Sequence, residues 1–403
     1  MTVSRIVGWL GSLALSTFSA SAFADTPLTY AQALALSRNR APTAALARTT
    51  EAVAEAESRV PGAYPNPTVQ AGTSSLAARV SMGISVPLVV LGQRGAGLRA
   101  GRAGLEVAKF DTQITLADVR ASTGHAFVAL WLAERTARAR VDAAQIATKL
   151  EDAARGRVEL GSAPELDGLR AHAERLRADM DARSAGALVD AAAAELAVWV
   201  GASFDEPLRV SGDPEVPAQV PQIRQLWQHS SQSPSVQRAL AEASASEARA
   251  DSERAQVRPL MTLDLGADLY DPTLPGVNYR AAIGIEVPLF NQRGPLIERE
   301  QRSALAARSQ ARVEQARLGS ALVVAYRTFA AMTQQVEALS SGVLPAAVSA
   351  ARATEESYAL GRAPLVAVLD AERARIDTEL ALVESQSARA NAWIDLQRAL
   401  GVR

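Results

Sequence analysis

Residues 261–270 read Met-Thr-Leu-Asp-Leu-Gly-Ala-Asp-Leu-Tyr, and every second side chain is apolar: Met261, Leu263, Leu265, Ala267 and Leu269 alternate with Thr262, Asp264, Gly266, Asp268 and Tyr270. A period of two is the signature of a strand with one oily and one wet face. Residues 279–287 repeat the pattern, with Tyr279, Ala281, Ile283, Ile285 and Val287 against Arg280, Ala282, Gly284 and Glu286. Far upstream, Val80, Met82, Ile84 and Val86 alternate with Ser81, Gly83 and Ser85. Strands of about 9–11 residues cross a bilayer when tilted. Turns at Thr73-Ser74-Ser75 and at Asp271 to Asn278 complete two hairpins, and Pro65, Pro67 and Pro259 mark their entries while Pro87 and Pro288 mark their exits. Proline suits such sites because it ends strand pairing.

Around the hairpins the chain is rich in alanine, glutamate and arginine and nearly free of proline and glycine, which predicts long helices. One rod is expected over 96–159; a second runs from 296 to 343, breaks near Gly342 and Pro345, and resumes to Tyr358. Shorter helices should lead each copy, at about 28–62 and 222–257, and return helices should follow the rods at 164–200 and 364–400. Rods of this length cannot bury an apolar stripe inside a globule, so they must lie along one another.

The two halves are copies. LGSAPELDGLRAHAE at 160–174 recurs as LGRAPLVAVLDAERA at 360–374, and Gly83, Ile84, Val86, Pro87 and Leu88 meet Gly284, Ile285, Val287, Pro288 and Leu289. Self-similarity of this kind constrains the whole architecture. The expected organisation is a first repeat at 25–201 with a hairpin at about 67–90, a linker or equatorial segment at 202–221, and a second repeat at 222–403 with a hairpin at about 259–290. Residues 1–24 carry Arg5, an apolar run and a terminal Ala22-Phe23-Ala24, and read as a secretory signal.

Composition narrows the function. The net charge is −1 with only two lysines, Lys109 and Lys149, which gives no footprint for nucleic acid. Without cysteine there is no disulfide framework, thiolate metal site or acyl-thioether anchor. His125, His172 and His229 are too scattered to chelate as a pair, and no nucleophile elbow, phosphate loop or dinucleotide fingerprint is present. The reading is of a non-enzyme without a cofactor. Four two-faced strands leave unpaired edges in hydrocarbon, so a symmetric oligomer must close the sheet, with membrane lipid outside and water within.

The signal segment, the doubled unit of helix, hairpin, rod and return helix, and the boundary runs VPLVVLGQRG and VPLFNQRG together resemble the TolC family of outer-membrane efflux channels, over essentially the whole mature chain. The resemblance implies a mostly α fold with four transmembrane β-strands. It is a duplicated long-helix α-barrel protomer whose two β-hairpins contribute to a trimeric 12-stranded outer-membrane β-barrel. It further implies a homotrimer, a periplasmic adaptor (membrane fusion protein) and an inner-membrane pump of a tripartite RND-type system. The runs at 288–294 and 93–95 resemble the heavy-metal, CzcC-like branch, so metal cations are the expected cargo of a passive exit duct in the bacterial outer membrane. Multidrug efflux or a type I secretion outlet of the same fold is the alternative within the family, and a periplasmic adaptor or coiled-coil scaffold the alternative outside it.

By the same resemblance, Leu160, Gly161, Ser162, Leu360, Gly361 and Arg362 form the adaptor-contact tip. Asp167 and Asp370 are candidate constriction carboxylates, with Tyr358 and Arg362 as tip-closing partners, although Arg362 lies one position early and Ala367 stands where a second acid is expected. Asp264, Asp268, Arg280 and Glu286 are expected in the barrel lumen.

Overall fold

The computed structural model describes residues 27–74, 79–203, 208–217, 223, 232–270 and 276–401. The expected signal segment, parts of the linker, the start of the second leading helix with His229, and the tip of the second hairpin at 271–275 lie outside the described residues.

The first leading helix is two helices, not one: α1 spans Tyr30–Arg40 and α2 Pro42–Arg59, and a 3-10 turn follows at Val60–Gly62. Pro42 has no N–H to continue α1, and its ring holds Ala41 in an extended conformation, φ −59° and ψ 129°. Thr29 opens α1 with a capping box that Gln32 completes. Strands β1 (Thr68–Ser74) and β2 (Arg79–Leu88) lead into α3, Gln93–Glu159, a single helix of 67 residues and so about 100 Å long. The return helix α4 covers Glu165–Val200.

The second half follows the same order. Helix α5 (Pro234–Gln256), β3 (Leu260–Tyr270), β4 (Asn278–Glu286), α6 (Gly294–Ala338), α7 (Leu344–Ala359) and α8 (Leu365–Ala399) succeed one another. The two rods differ at one place. Between α6 and α7, Leu339–Val343 form a π-helical turn, because Pro345 cannot donate to the carbonyl one turn back and the backbone widens to accommodate its ring. No helix among the described residues is long and apolar enough to cross a membrane.

The sheet order is β1-β2-β3-β4, antiparallel throughout, so the inner strands of the two hairpins pair with each other. Two sequence expectations shift. Ser74 pairs with Arg79, so Thr73 and Ser74 belong to β1, and Ser75 lies outside the described residues. Pro87 lies within β2 opposite Thr262, one residue before the strand ends, and β1, at seven residues, is shorter than the expected length.

The helices pack through small side chains. Alanines dominate the buried positions of α3, α4, α5 and α6. The largest core lies at mid-length, where Phe127, Leu130 and Trp131 of α3 meet Leu196 and Val200 of α4 and Tyr30 of α1, whose ring sits edge-on to Phe127 at 5.3 Å. Here the N-terminal segment and the linker join in a short parallel bridge, Leu28 to Val210, with Leu28 donating to the Arg209 carbonyl at 2.8 Å. His125 ties α3 to α8 through Asp395 at 3.0 Å and Asn391 at 2.9 Å.

Close approach of α2 to α3 predicts an asymmetric pair of variants. A Cβ on Gly101 would sit 2.6 Å from the Ser58 carbonyl oxygen, whereas one on Gly104 would meet nothing within 4 Å. Gly101→Ala should therefore destabilise by about 1–3 kcal/mol and lower the thermal unfolding midpoint. Gly104→Ala should raise it by relieving a helix-interior glycine.

Candidate functional site

The strand register sorts the side chains by face. Partners directly opposite share a face, so Gln70, Gly83, Gly266 and Arg280 fall on one side, as do Gly72, Ser81, Asp268 and Asn278, and Ser85, Asp264 and Ala282. On the other side Val69, Ile84, Leu265 and Ala281 line up, and so do Val86, Leu263 and Ile283. Exposed large apolar side chains concentrate on this second side: Val69, Met82, Ile84, Leu265, Tyr279, Ile283 and Ile285 all stand in the open. All four expected lumen residues, Asp264, Asp268, Arg280 and Glu286, share the polar face. Arg280 reaches Asp268 at 3.2 Å and Thr262 donates to Asp264 at 3.1 Å. A bulge at Val80/Ser81 leaves Leu269 unopposed and ends the strict alternation before Tyr270.

At the far end of the rods the chain reverses twice with the same bonds. Gly161 and Gly361 adopt left-handed backbone, φ 66° and 71°, which glycine reaches without strain. The Gly161 N–H donates to Val158 and that of Ser162 to Arg157; the Gly361 N–H donates to Tyr358 and that of Arg362 to Ser357. Both ends are thus closed by the same pair of bonds, which satisfies the last helical carbonyls. Leu160 and Leu360 project from these turns, 84% and 68% exposed. Pro164 and Pro364, both extended, set the direction of α4 and α8.

Near this tip the four candidate gate residues are not alike. Asp167 is half-buried in the first turn of α4, with Arg170 3.9 Å away; Asp370 is exposed on α8, with Arg373 3.9 Å away. Tyr358 is buried in an apolar cluster with Leu150, Ala154, Leu365 and Val368. Arg362 is exposed on the turn and forms no ion pair with Tyr358's surroundings among the described residues. Tyr358 meets Arg157 of α3, whose guanidinium lies 4.7 Å above the ring and donates to the Tyr358 carbonyl at 2.9 Å.

Sequence reasoning missed a charged link between the two copies. Arg373 of α8 grips Glu174 of α4 through two parallel hydrogen bonds of 3.1 and 2.5 Å. These bonds hold the Glu174 carboxyl below its usual range and raise the Arg373 guanidinium. Deeper in α3, the hydrogen bond from His172 lowers the Glu151 carboxyl, and Arg175 adds to the effect. Partners 199 residues apart carry no local signal; only the near-equality of that separation to the repeat offset hints at them. Among the described residues no group of three or more metal-ligating side chains gathers.

Comparison with known proteins follows these features. Residues 227–402 match the family described as Outer membrane efflux protein. The chain is 24% identical to the cobalt-zinc-cadmium resistance protein CzcC of Cupriavidus metallidurans, over 79% of this chain and 76% of CzcC. The fold is that of the outer membrane protein VceC of Vibrio cholerae, with a TM-score of 0.76 at 16% identity over 92% of this chain and 96% of VceC. It is also that of CusC, solved in work on transmembrane channel formation, with a TM-score of 0.74 at 16% identity over 96% of this chain and 95% of CusC.

The Glu174–Arg373 pair gives a pH test. A carboxyl whose folded pKa is depressed contributes stability above its unfolded pKa and loses it as pH falls through the folded value. Glu174→Gln should speed amide exchange along the α4–α8 contact at pH 7. The unmodified protein should show the same loosening only when the pH falls well below the usual carboxylate range, since Glu174 is held beneath it.

Proposed function

We propose that this chain is an outer-membrane efflux channel and the passive exit duct of a tripartite assembly, a reading supported by the match of residues 227–402 to the outer membrane efflux protein family and by the fold it shares with VceC and CusC. In this reading an inner-membrane pump and a periplasmic adaptor deliver metal cations, and three copies of the chain conduct them across the outer membrane. The observation that carries the proposal is the four-stranded sheet with one exposed apolar face, one polar face and two unpaired edges, β1 and β4. Lipid tolerates no such edge, so β4 of one protomer pairs with β1 of the next until twelve strands close. The helices support the same symmetry. Leu166, Leu169, Leu176, Met180 and Leu188 form an exposed apolar stripe on α4, while Leu305, Val313 and Val324 are exposed on α6. A neighbouring protomer on each side would cover them.

The organisation follows from this reading: repeats at 25–201 and 222–403 each supply a sixth of barrel and rod wall, and the 202–221 segment, bridged through Val210 to Leu28, braces mid-length. The tips at Leu160-Gly161-Ser162 and Leu360-Gly361-Arg362 serve as the adaptor contact, their exposed leucines as apolar knobs and their glycines as places of close backbone approach. Asp370, exposed on α8, serves as a ring of three carboxylates at the constriction with Asp167 behind it, and Tyr358 and Arg362 shape the closed tip. In the barrel, Asp264, Asp268 and Glu286 against Arg280 leave the lumen acidic, which favours cations over anions. The CzcC likeness supports cobalt, zinc or cadmium as the cargo.

Two measurements test the proposal. In planar bilayers the purified protein should conduct and prefer cations, and Asp370→Ala should lower that preference; unchanged selectivity removes Asp370 from the constriction. In cells, loss of the chain should reduce tolerance to zinc, cobalt or cadmium. Reduced tolerance to organic toxicants alone would overturn the metal cargo while leaving the duct.

A further inference from the structure

Beyond the duct itself, charge is distributed unevenly along the molecule. The four chain segments that flank the sheet at its helical end, 57–63, 88–102, 249–259 and 287–302, hold ten arginines and no lysine against five carboxylates. The rest of the chain is left with 32 basic and 38 acidic residues. All four segments lie at one height, because the register puts the start of β1, the end of β2, the start of β3 and the end of β4 at the same end of the sheet. The arginine excess is therefore a collar, spatially confined although scattered in sequence.

The collar is also greasy. Val60, Tyr64, Val90, Leu289 and Phe290 lie in or beside these segments and are each more than 60% exposed, Phe290 almost completely so at 99%. Arg94 lies 4.5 Å over the Tyr64 ring and anchors itself on the Gly62 carbonyl at 2.6 Å, so the aromatic and the cation form one exposed platform. Arg258 holds the Leu91 carbonyl at 2.6 Å beside exposed Val90. Arg99 and Arg102, one turn further along α3, are exposed and make no ion pair among the described residues. They point away from both neighbouring elements, since Gly97 faces the 3-10 turn at Pro61, Gly101 faces Ser58 of α2, and Gln93 reaches Pro259 beyond α5.

We propose that this collar binds anionic phospholipid headgroups of the membrane's inner, periplasm-facing leaflet, with arginines on the phosphates and the exposed apolar side chains in the acyl boundary. The proposal rests on the reading of the sheet as a membrane barrel, because that reading sets the collar at headgroup height. Guanidinium suits the task better than ammonium, since its planar fork pairs with two phosphate oxygens at once. Each arginine near an anionic surface contributes modestly, and several at one height add up to a preference for acidic lipid that salt weakens.

The test uses the full-length protein reconstituted in nanodiscs of phosphatidylethanolamine and phosphatidylglycerol in equal parts, with retained lipid counted by native mass spectrometry. Phosphatidylglycerol should be retained over phosphatidylethanolamine. The double variant Arg99→Gln/Arg102→Gln should cut that preference by about 10- to 30-fold, and Arg99→Lys/Arg102→Lys should keep most of it. Equal retention of the two lipids, or a double variant that matches the unmodified protein, overturns the collar. So does a double variant that changes ion selectivity and leaves lipid retention intact, which would put these arginines in the duct. Conductance of the same samples separates the two readings: a protein that inserts and conducts without lipid preference sinks the collar alone, whereas one that never inserts sinks the barrel and the collar together.

Discussion

Pairing of β2 with β3 is the contact on which the rest of the molecule depends. It runs from Val80 opposite Tyr270 to Leu88 opposite Met261 and fuses hairpins from two halves of the chain into one sheet. A lone hairpin is marginal in any solvent and untenable in hydrocarbon, where each unpaired amide costs several kcal/mol. Four fused strands reduce the unsatisfied edges per chain to two. The sheet then needs only copies of itself to close, and it fixes the direction in which four helical segments, α2, α3, α5 and α6, run from it.

The helical wall is built on a complementary principle. Alanine and glycine at the contacts let long helices lie close without large interlocking side chains, as where Gly101 admits Ser58 of α2. Such a seam gains little from any one residue and is spread over a great length. Specificity comes from polar ties placed at intervals: His125 to Asp395, Glu151 to His172 and Arg175, and Glu174 to Arg373. These ties are partly exposed, so each is weak in isolation and can exchange partners. A wall of weak, repeated contacts can shift locally without unfolding.

The duplicated halves are not equivalent where they differ most in sequence. The first rod is unbroken, whereas the second carries the π-helical turn at Leu339–Val343. The first tip presents Ser162, whose hydroxyl folds back onto Arg157 at 3.0 Å; the second presents Arg362 to solvent. Asp370 stands where the first copy has Arg170, and Ala367 where it has Asp167. Twofold sequence repetition therefore supplies two near-equivalent units, and the departures from it make the two helical tips chemically distinct.

Much of the architecture was legible in the sequence because it rests on local periodicity. Alternation located β2, β3 and β4; long proline-free windows located α3, α4 and α8; the Gly-x-Ala-Pro runs located both reversals; and Gly342 with Pro345 announced the break in the second rod. Strand polarity alone put Asp264, Asp268, Arg280 and Glu286 on one face. What the sequence misjudged was set by neighbours: Pro42 divides the leading helix, and pairing with Arg79 draws Ser74 into β1. Contacts that no sequence signal announced, Arg157 on Tyr358 and Arg373 on Glu174, arise because helices distant in the chain bring these groups within bonding reach. Periodicity is a property of consecutive residues and survives any packing, so the sequence by itself determined the elements and their faces. Bonds between residues 199 or 201 apart exist only once register and helix rotation are fixed, and those the tertiary structure alone decided.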